Sequence, residues 1–266
     1  MRITTWNINS VRLRIGLVER FLSEVKPDVL CLQETKCTDD QFPAKAFAKA
    51  GYKHHAVAGQ KAYHGVAIVA KKPFAAVERL QFCGKEDARH IAVTLGDGTV
   101  VHNFYVPAGG DEPDPKVNEK FAHKLSFIDE MAAHFKGRGD EPMVLVGDLN
   151  IAPHEHDVWS HKQLLKVVSH TPVEVEGLEK VRAAAPFTDV MRALTPDDEK
   201  LYTWWSYRAK DWRASNRGRR LDHVWVTKPL EARALAKGQK AFTIHDHVRD
   251  WEKPSDHAPV TVQFGK

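Results

Sequence analysis

Residues 2–32, RITTWNINSVRLRIGLVERFLSEVKPDVLCL, decide the fold. Arg2 to Trp6 is a short run rich in β-branched residues and reads as a strand. Val11, Ile15, Val18, Leu22 and Val25 then recur at helical spacing. Lys26-Pro27-Asp28 stops that helix, because proline removes a backbone donor and restricts the residue before it. Val29 to Leu32 is a second apolar strand. The opening unit is therefore strand, helix, strand.

The same alternation continues outward along the chain. A short helix is expected around Pro43 to Ala50, with strands near His54 to Ala58 and Gly65 to Ala70. Ile91 to Leu95 and Val100 to Tyr105, joined by Gly96-Asp97-Gly98-Thr99, read as a hairpin and make the sheet mixed. Phe121, Leu125, Ile128, Met131, Ala132 and Phe135 form the stripe of a helix running from about Val117 to Gly137, and Pro142 to Gly147 is the next buried strand. The second half gives a helix near Thr188 to Leu194, strands at Tyr202 to Tyr207 and Leu221 to Thr227, and a last strand from Pro259 to Phe264. The linker candidates, Ala108 to Pro115 and Thr195 to Asp198, are short and mark no shift in composition. One α/β domain over residues 1–266, two packed mixed sheets flanked by helices, is the expectation.

Composition removes other classes. The 266 residues are 42% hydrophobic and 28% charged, which suits a packed core and argues against disorder. No run approaches the roughly 20 apolar residues of a membrane span, and the N-terminus shows no signal-peptide core, so a soluble cytoplasmic protein with no membrane partner is expected. Cys31, Cys37 and Cys83 are odd in number and lack CxxC spacing, wrong for a disulfide framework or a cysteine zinc site. Cys31, inside Val29-Leu30-Cys31-Leu32, reads as a buried thiol. His154-Glu155-His156 lacks the spacing of a zinc helix, and His54-His55 and His245-Asp246-His247 read as surface residues.

The net charge of +4 says little about partners. Its distribution says more: residues 201–220 hold Arg208, Lys210, Arg213, Arg217, Arg219 and Arg220 against the one acid Asp211, interleaved with Tyr202, Trp204, Trp205, Tyr207 and Trp212. A charge run is most often a solvated face, and alternate residues of a strand here belong to the core.

Polar residues gather where the apolar strands finish, in Trp6-Asn7-Ile8-Asn9, Leu32-Gln33-Glu34-Thr35, Phe104-Tyr105-Val106-Pro107, Val146-Gly147-Asp148-Leu149-Asn150 and Ser255-Asp256-His257-Ala258-Pro259. Singly, each is a turn or a cap. Together, carboxylates, amides, a histidine and a tyrosine at strand ends form a toolkit for metal-assisted attack on phosphate.

Thr5-Trp6-Asn7-Ile8-Asn9-Ser10, Pro27 to Lys36 with its LQETK, Gly147-Asp148-Leu149-Asn150-Ile151-Ala152-Pro153, Arg220-Leu221-Asp222-His223 and Pro254 to Pro259 closely resemble the exodeoxyribonuclease III family of the endonuclease, exonuclease and phosphatase superfamily. The match runs in order from residue 4 to residue 264. It implies a four-layer α-β-β-α sandwich and a magnesium-dependent DNA repair enzyme, with manganese as the alternative ion. Such an enzyme cuts 5′ to abasic sites in duplex DNA and clears nucleotides or blocking groups from 3′ ends; a monomer is expected.

By that resemblance Glu34 is the principal metal ligand, with Asn7 and Asp256 beside it and Asp148, Asn150 and His257 around the same centre. Asp148 orients or deprotonates the attacking water, Asn150 bonds the water or the phosphate, and His257 meets a phosphate oxygen with its tautomer fixed by Asp222. Tyr105 donates to the phosphate or assists the leaving oxygen. Trp204 and Trp205 match positions lining the pocket for an extrahelical abasic sugar, and Asn216 matches a phosphate contact. Tyr207, Arg208, Trp212 and Arg217 extend this DNA surface; Lys210, Arg213, Lys61 and Arg89 are further phosphate contacts. Arg219 stands just ahead of Arg220-Leu221-Asp222, where some relatives carry a large apolar residue that helps wall the abasic pocket. The match is looser from His161 to Lys180. A superfamily member acting on phospholipid or inositol phosphate headgroups would share the core residues; the aromatic and basic segment favours DNA.

Overall fold

The structure is a computed structural model and describes residues 1–265. In chain order the elements are β1 (Arg2–Asn7), α1 (Ile15–Val25), β2 (Val29–Gln33), α2 (Ala44–Lys49), β3 (His54–Ala58), β4 (Val66–Ala70), β5 (Ala76–Glu78), β6 (His90–Thr94), β7 (Val100–Tyr105), α3 (Glu119–Phe135) and β8 (Met143–Asp148). There follow α4 (His161–Leu164), α5 (Pro172–Ala184), β9 (Thr188–Asp189), α6 (Val190–Ala193), β10 (Trp204–Trp205), α7 (Trp212–Ser215), β11 (Gly218–Arg219), β12 (Asp222–Val226), α8 (Lys228–Leu235), β13 (Phe242–Ile244) and β14 (Val260–Gln263).

Two six-stranded sheets result, in the orders β13-β14-β1-β2-β4-β3 and β5-β6-β7-β8-β12-β9. Each is mixed in the same way. Its one parallel pair, β1 with β2 and β7 with β8, is the product of a strand-helix-strand crossover through α1 or α3, and the neighbouring pairs are antiparallel. The two crossovers end at the same edge of the molecule, so Asn7, Glu34, Tyr105 and Asp148 follow from four strand termini.

Side-chain alternation builds four layers. Ile3, Val29, Cys31 and Ile68 of the first sheet face Val101, Val144, Val146 and Val224 of the second, forming the central core. Trp6, Leu30 and Leu32 point the other way, against Val18, Phe21 and Leu22 of α1 and Phe47 of α2. Phe104, Leu145 and Trp225 point outward onto Phe127, Ile128 and Met131 of α3 and Leu178 and Val181 of α5. Both faces of each sheet are covered, which is why these strands read as continuous apolar runs.

Near the polar edge the two sheets are bolted by amides. Gln33 Nε2 donates to Thr5 Oγ1 (2.9 Å) and to Asn103 Oδ1 (2.7 Å), and Asn103 Nδ2 donates to the carbonyls of Leu32 and Ala67 (3.0 Å each). All of these groups are buried, so sliding one sheet over the other would strand several polar atoms without partners.

Three expectations are corrected. The first helix begins at Ile15, not Val11: Asn9 and Ser10 take positive φ (46° and 82°), and Ser10 N and Val11 N bond the carbonyls of Glu34 and Thr35 instead of starting a turn of helix. The strand over Tyr202 to Tyr207 shrinks to Trp204–Trp205, paired with β11, while Trp205 N and Ala258 N tie the same stretch to the 256–258 segment. His245 is not a surface residue: it packs edge-on against Phe21, and Nε2 bonds Thr261 Oγ1 at 2.9 Å. Helices α5 and α8 and strands β5 and β13 were not anticipated. Cys31 is fully buried as expected.

Candidate active site

Asn7, at the end of β1, organises the site. Its Nδ2 donates to Glu34 Oε1 and to Asp148 Oδ2, both at 2.9 Å, while its Oδ1 accepts from Asn9 N at 3.0 Å. The amide thus holds one carboxylate from each sheet. It presents its donor side to them, and its oxygen, the atom expected to reach a metal, keeps a second lone pair beside the bond from Asn9 N. Tyr105 Oη donates to the same Glu34 Oε1 at 3.0 Å, and Lys36 Nζ lies 2.8 Å from Glu34 Oε2. Burial works against the charge on Glu34, but Lys36 and the Asn7 amide outweigh it and hold the carboxyl below its ordinary pKa. Burial, then the Glu34 and Asp148 carboxylates, push the Tyr105 phenol well above its own.

Asp148 closes β8 directly opposite Asp222, the first residue of β12. Asn150 sits in the left-handed region (φ 54°), which a short amide tolerates. There its N bonds Asp148 Oδ1 at 3.0 Å, and its Nδ2 bonds Asp148 Oδ2 at 3.3 Å and the Val106 carbonyl at 2.9 Å. His257 donates from Nδ1 to Asp222 Oδ2 at 2.8 Å, and its Nε2 faces Asp148 Oδ2 at 3.6 Å. Burial would discharge the imidazole, but Asp222 and Asp148 outweigh it and raise its pKa. Burial, with Asp222 and Glu34, raises that of Asp148 against the pull of His257 and the Asn7 amide. The result is a carboxylate, an imidazolium and a second carboxylate in a row, with the orientation of the middle ring fixed by Asp222.

The ligand atoms of Asp148, Asp222 and His257 lie within 4.8 Å of one another, a spacing compatible with an ion. His257, expected among the metal ligands, is one of these three; while protonated it balances the two carboxylates in the place of an ion. The oxygens around Glu34 also suit a cation. Glu34 already holds Lys36 Nζ, and that ammonium also bonds Asn9 Oδ1 at 2.7 Å, whose Nδ2 reaches Asp256 Oδ1 at 3.3 Å. Positive charge is therefore favoured among oxygen donors of the kind that hard divalent ions prefer. Asp256 is held from its other side by Trp204 Nε1 at 2.9 Å.

These groups open into a cleft of about 770 Å³ that Trp159, Trp204, Trp205, Trp212, Arg208 and Arg217 also line. Arg217 lies over the ring of Trp159 (4.7 Å), and Arg219 over that of Trp204 (5.4 Å) while its Nη1 bonds Val168 O and Ser169 Oγ. Trp205 is largely buried and donates to Asn216 Oδ1 at 3.1 Å, so the Asn216 oxygen is committed within the protein. Tyr207, 51% exposed, donates to Pro254 O and stands outside the lining. Two expected phosphate contacts are corrected. Arg89 is buried, bonded to Asp87 (2.9 Å) and Tyr105 O and stacked over the Tyr105 ring, so it supports Tyr105. Arg213 is paired with Asp250 (2.6 Å) and Asp246 (3.3 Å), anchoring its loop. Trp159, Lys36 and the Val167–Ser169 loop were missed. Lys36 stood in the LQETK motif, but only the left-handed turn through Glu34 and Lys36 (φ 50° and 52°) brings its ammonium back onto the carboxylate.

The sequence profile of the endonuclease/exonuclease/phosphatase family matches residues 4–257. Exodeoxyribonuclease III of Haemophilus influenzae is 31% identical over 99% of this chain and its own full length. An AP endonuclease structure from Archaeoglobus fulgidus superposes with a TM-score of 0.90 at 31% identity, covering 99% of each chain. The 3′ phosphatase NExo from Neisseria, solved with a product DNA hairpin, gives a TM-score of 0.90 at 31% identity and covers 100% of each chain. The strand-end residues, the paired mixed sheets and these likenesses agree: the chain belongs to the endonuclease/exonuclease/phosphatase family, in the branch typified by exodeoxyribonuclease III.

Proposed function

We propose that the chain is a magnesium-dependent DNA repair phosphodiesterase, acting as one domain over residues 1–266. It cuts 5′ to abasic sites in duplex DNA and removes nucleotides, phosphates and other blocking groups from 3′ ends. Relatives named as an exonuclease, an AP endonuclease and a 3′ phosphatase support each part of that range. The observation that carries the reading is Asp148, a buried carboxylate of raised pKa held by two amides and faced by a charged histidine at the floor of an aromatic, basic cleft.

Asp148 takes a proton from the attacking water, which burial and Asp222 equip it to do near neutrality. The water oxygen bonds to phosphorus as the bond to the 3′ oxygen breaks, leaving a 3′ hydroxyl and a 5′ phosphate. Asn150, bonded to Asp148, orients the water. His257 places a proton and a positive charge against a non-bridging oxygen, with Asp222 holding its ring. Tyr105, kept protonated, swings its donor from Glu34 to the phosphate or the leaving oxygen. A magnesium or manganese ion held by Glu34 and Asp256 would shield the phosphate and stabilise the leaving oxygen. Trp204 and Trp159 receive the extruded sugar, which costs less to unstack than a paired base, and Arg208 and Arg217 meet flanking phosphates.

Three labelled duplexes, with an internal abasic site, a recessed 3′ hydroxyl and a 3′ phosphate, test the reading with magnesium chloride and with EDTA. Metal-dependent cleavage is expected, and no cleavage of any of the three would refute it. Asp148→Asn should lower kcat by about 10²- to 10⁴-fold, the range of general-base catalysis, while DNA affinity by fluorescence anisotropy stays within about threefold, since no phosphate contact is deleted. Near-native turnover in that variant would remove Asp148 from its role.

A further inference from the structure

Lys124 projects from α3 toward the back of the cleft and is completely buried, with Glu174 of α5, also completely buried, as its counter-ion at 2.5 Å. An ammonium has three protons to place. Here they go to Glu174 Oε1, to Asn150 O at 2.8 Å and to Ala108 O at 3.3 Å. Glu174 in turn accepts from Ser169 N at 2.9 Å and from Thr171 N and Oγ1 at 3.2 and 2.7 Å. Ala108, Asn150 and Ser169 stand on three separate loops, and each of them lines the cleft.

Those loops need holding. Asn150 and Ser169 both have positive φ, 54° and 88°, and Gly109 at 92° lies so close that a Cβ there would sit 2.9 Å from Lys124 Cδ and 3.0 Å from Val168 Cγ1. Glu174 also closes the capping box of α5 with Thr171, but its bond from Ser169 and both remaining bonds of Lys124 leave the helices for the cleft loops.

The geometry points to Lys124 and Glu174 as positioning residues for the cleavage reaction: their ion pair sets the Asn150, Ala108 and Ser169 loops in the register that places the Asn150 amide on Asp148. The inference rests on the phosphodiesterase reading above. It assigns no contact with DNA to either residue.

The double variant Lys124→Met/Glu174→Gln leaves no buried charge unpaired and keeps an acceptor for Ser169 and Thr171, but drops the bonds to Asn150 and Ala108. With the folded state verified by circular dichroism, its kcat on an abasic duplex should fall about 100-fold, as expected for displacement of catalytic groups by about 1 Å. KM, and the DNA Kd measured in EDTA, should stay within about threefold. Gly109→Ala, which keeps both charges but forces a Cβ against Lys124 Cδ and Val168 Cγ1 and so shifts the Ala108 loop, should show the same split and serves if the double variant does not fold. A folded variant of either kind with native kcat would overturn the proposal. Wild-type protein that cleaves no DNA substrate would instead overturn the phosphodiesterase reading, and the proposal with it.

Discussion

Asp148 and Asp222 face one another across β8 and β12, and His257 stands between them. The imidazolium survives burial because two carboxylates outweigh its desolvation. Asp222→Asn removes one of them and offers an amide that can present either a donor or an acceptor to Nδ1. The variant should fold, yet lose roughly 10²- to 10⁴-fold in kcat through a discharged or misoriented histidine. Its signature is an NMR titration of His257 moved toward lower pH, and an unmoved titration would separate Asp222 from the role. At this scale the sequence is informative about where chemistry gathers, because Glu34, Asp148 and His257 interrupt or follow strands that otherwise have no reason to carry charge. It is silent about which lone pairs remain free. Asn7 and Asn9 are both amides after β1, and only the left-handed turn at Asn9 decides that Asn7 spends one oxygen lone pair internally and aims its nitrogen at two carboxylates. Arg89 and Arg213 look like any other surface cation until the fold lays Tyr105 against the first and brings Asp250 to the second.

The start of β12 is fixed by a cluster that belongs to no one element. Arg220, fully buried, donates to Asp157 and Asp189 at 2.7 Å each, and Arg192 closes on Asp157 at 2.6 Å, so two cations meet two carboxylates. Arg220 Nη1 also meets His223 Nδ1 (3.1 Å), whose Nε2 then donates to Ile151 O at 2.8 Å and steadies the loop after Asp148. Asp157→Asn breaks the cluster from one side and should cost about 3–5 kcal/mol of stability near neutral pH. Both carboxyls have folded pKa values below their unfolded ones, the arginines overcoming burial. Their contribution is complete above the unfolded value of about 4 and disappears as pH falls through the lower folded values. The melting-temperature gap between wild type and variant should therefore be flat above about pH 5 and narrow below about pH 4; a constant gap would place the stabilisation elsewhere. Elements that rest on local signals were readable: α3 from its stripe, the β6–β7 hairpin from its glycines. Even the unanticipated α5 carries a capping box, Thr171 with Glu174, and a proline in its first turn. Strand β10 was not readable, because its extent depends on partners at Gly218–Arg219 and Asp256 rather than on its own residues.

For the whole molecule, charge matters through placement. A net +4 is a weak attractor, but Arg208 and Arg217 border the same cleft as the reactive groups, while Arg220 and Arg192 are neutralised inside the protein and Arg213 is paired with acids at its surface. Binding to a non-cleavable duplex in EDTA should weaken log-linearly with salt, and Arg208→Ala should reduce the slope by about one; Arg213→Ala should leave the slope alone and lower stability instead. Equal slopes for Arg208→Ala and wild type would take Arg208 off the phosphate path. The paired sheets and four layers were expected from the alternation and the resemblance, since covered faces make strands apolar throughout. The sheet orders were not, because β14 returns from the far end of the sequence to lie beside β1.

That return has a consequence for synthesis. Ser255 Oγ bonds Asn7 O, Trp6 Nε1 bonds His257 O, and β14 pairs with β1 along Arg2 to Thr5. Strand β1 leaves the ribosome long before β14 and waits, with one edge open, for it. Until then the nascent chain has neither His257 nor Asp256, and with the roles proposed for them it stays inert until that segment emerges. Ribosome-bound chains arrested before Asp256 should accordingly bind DNA without cutting it.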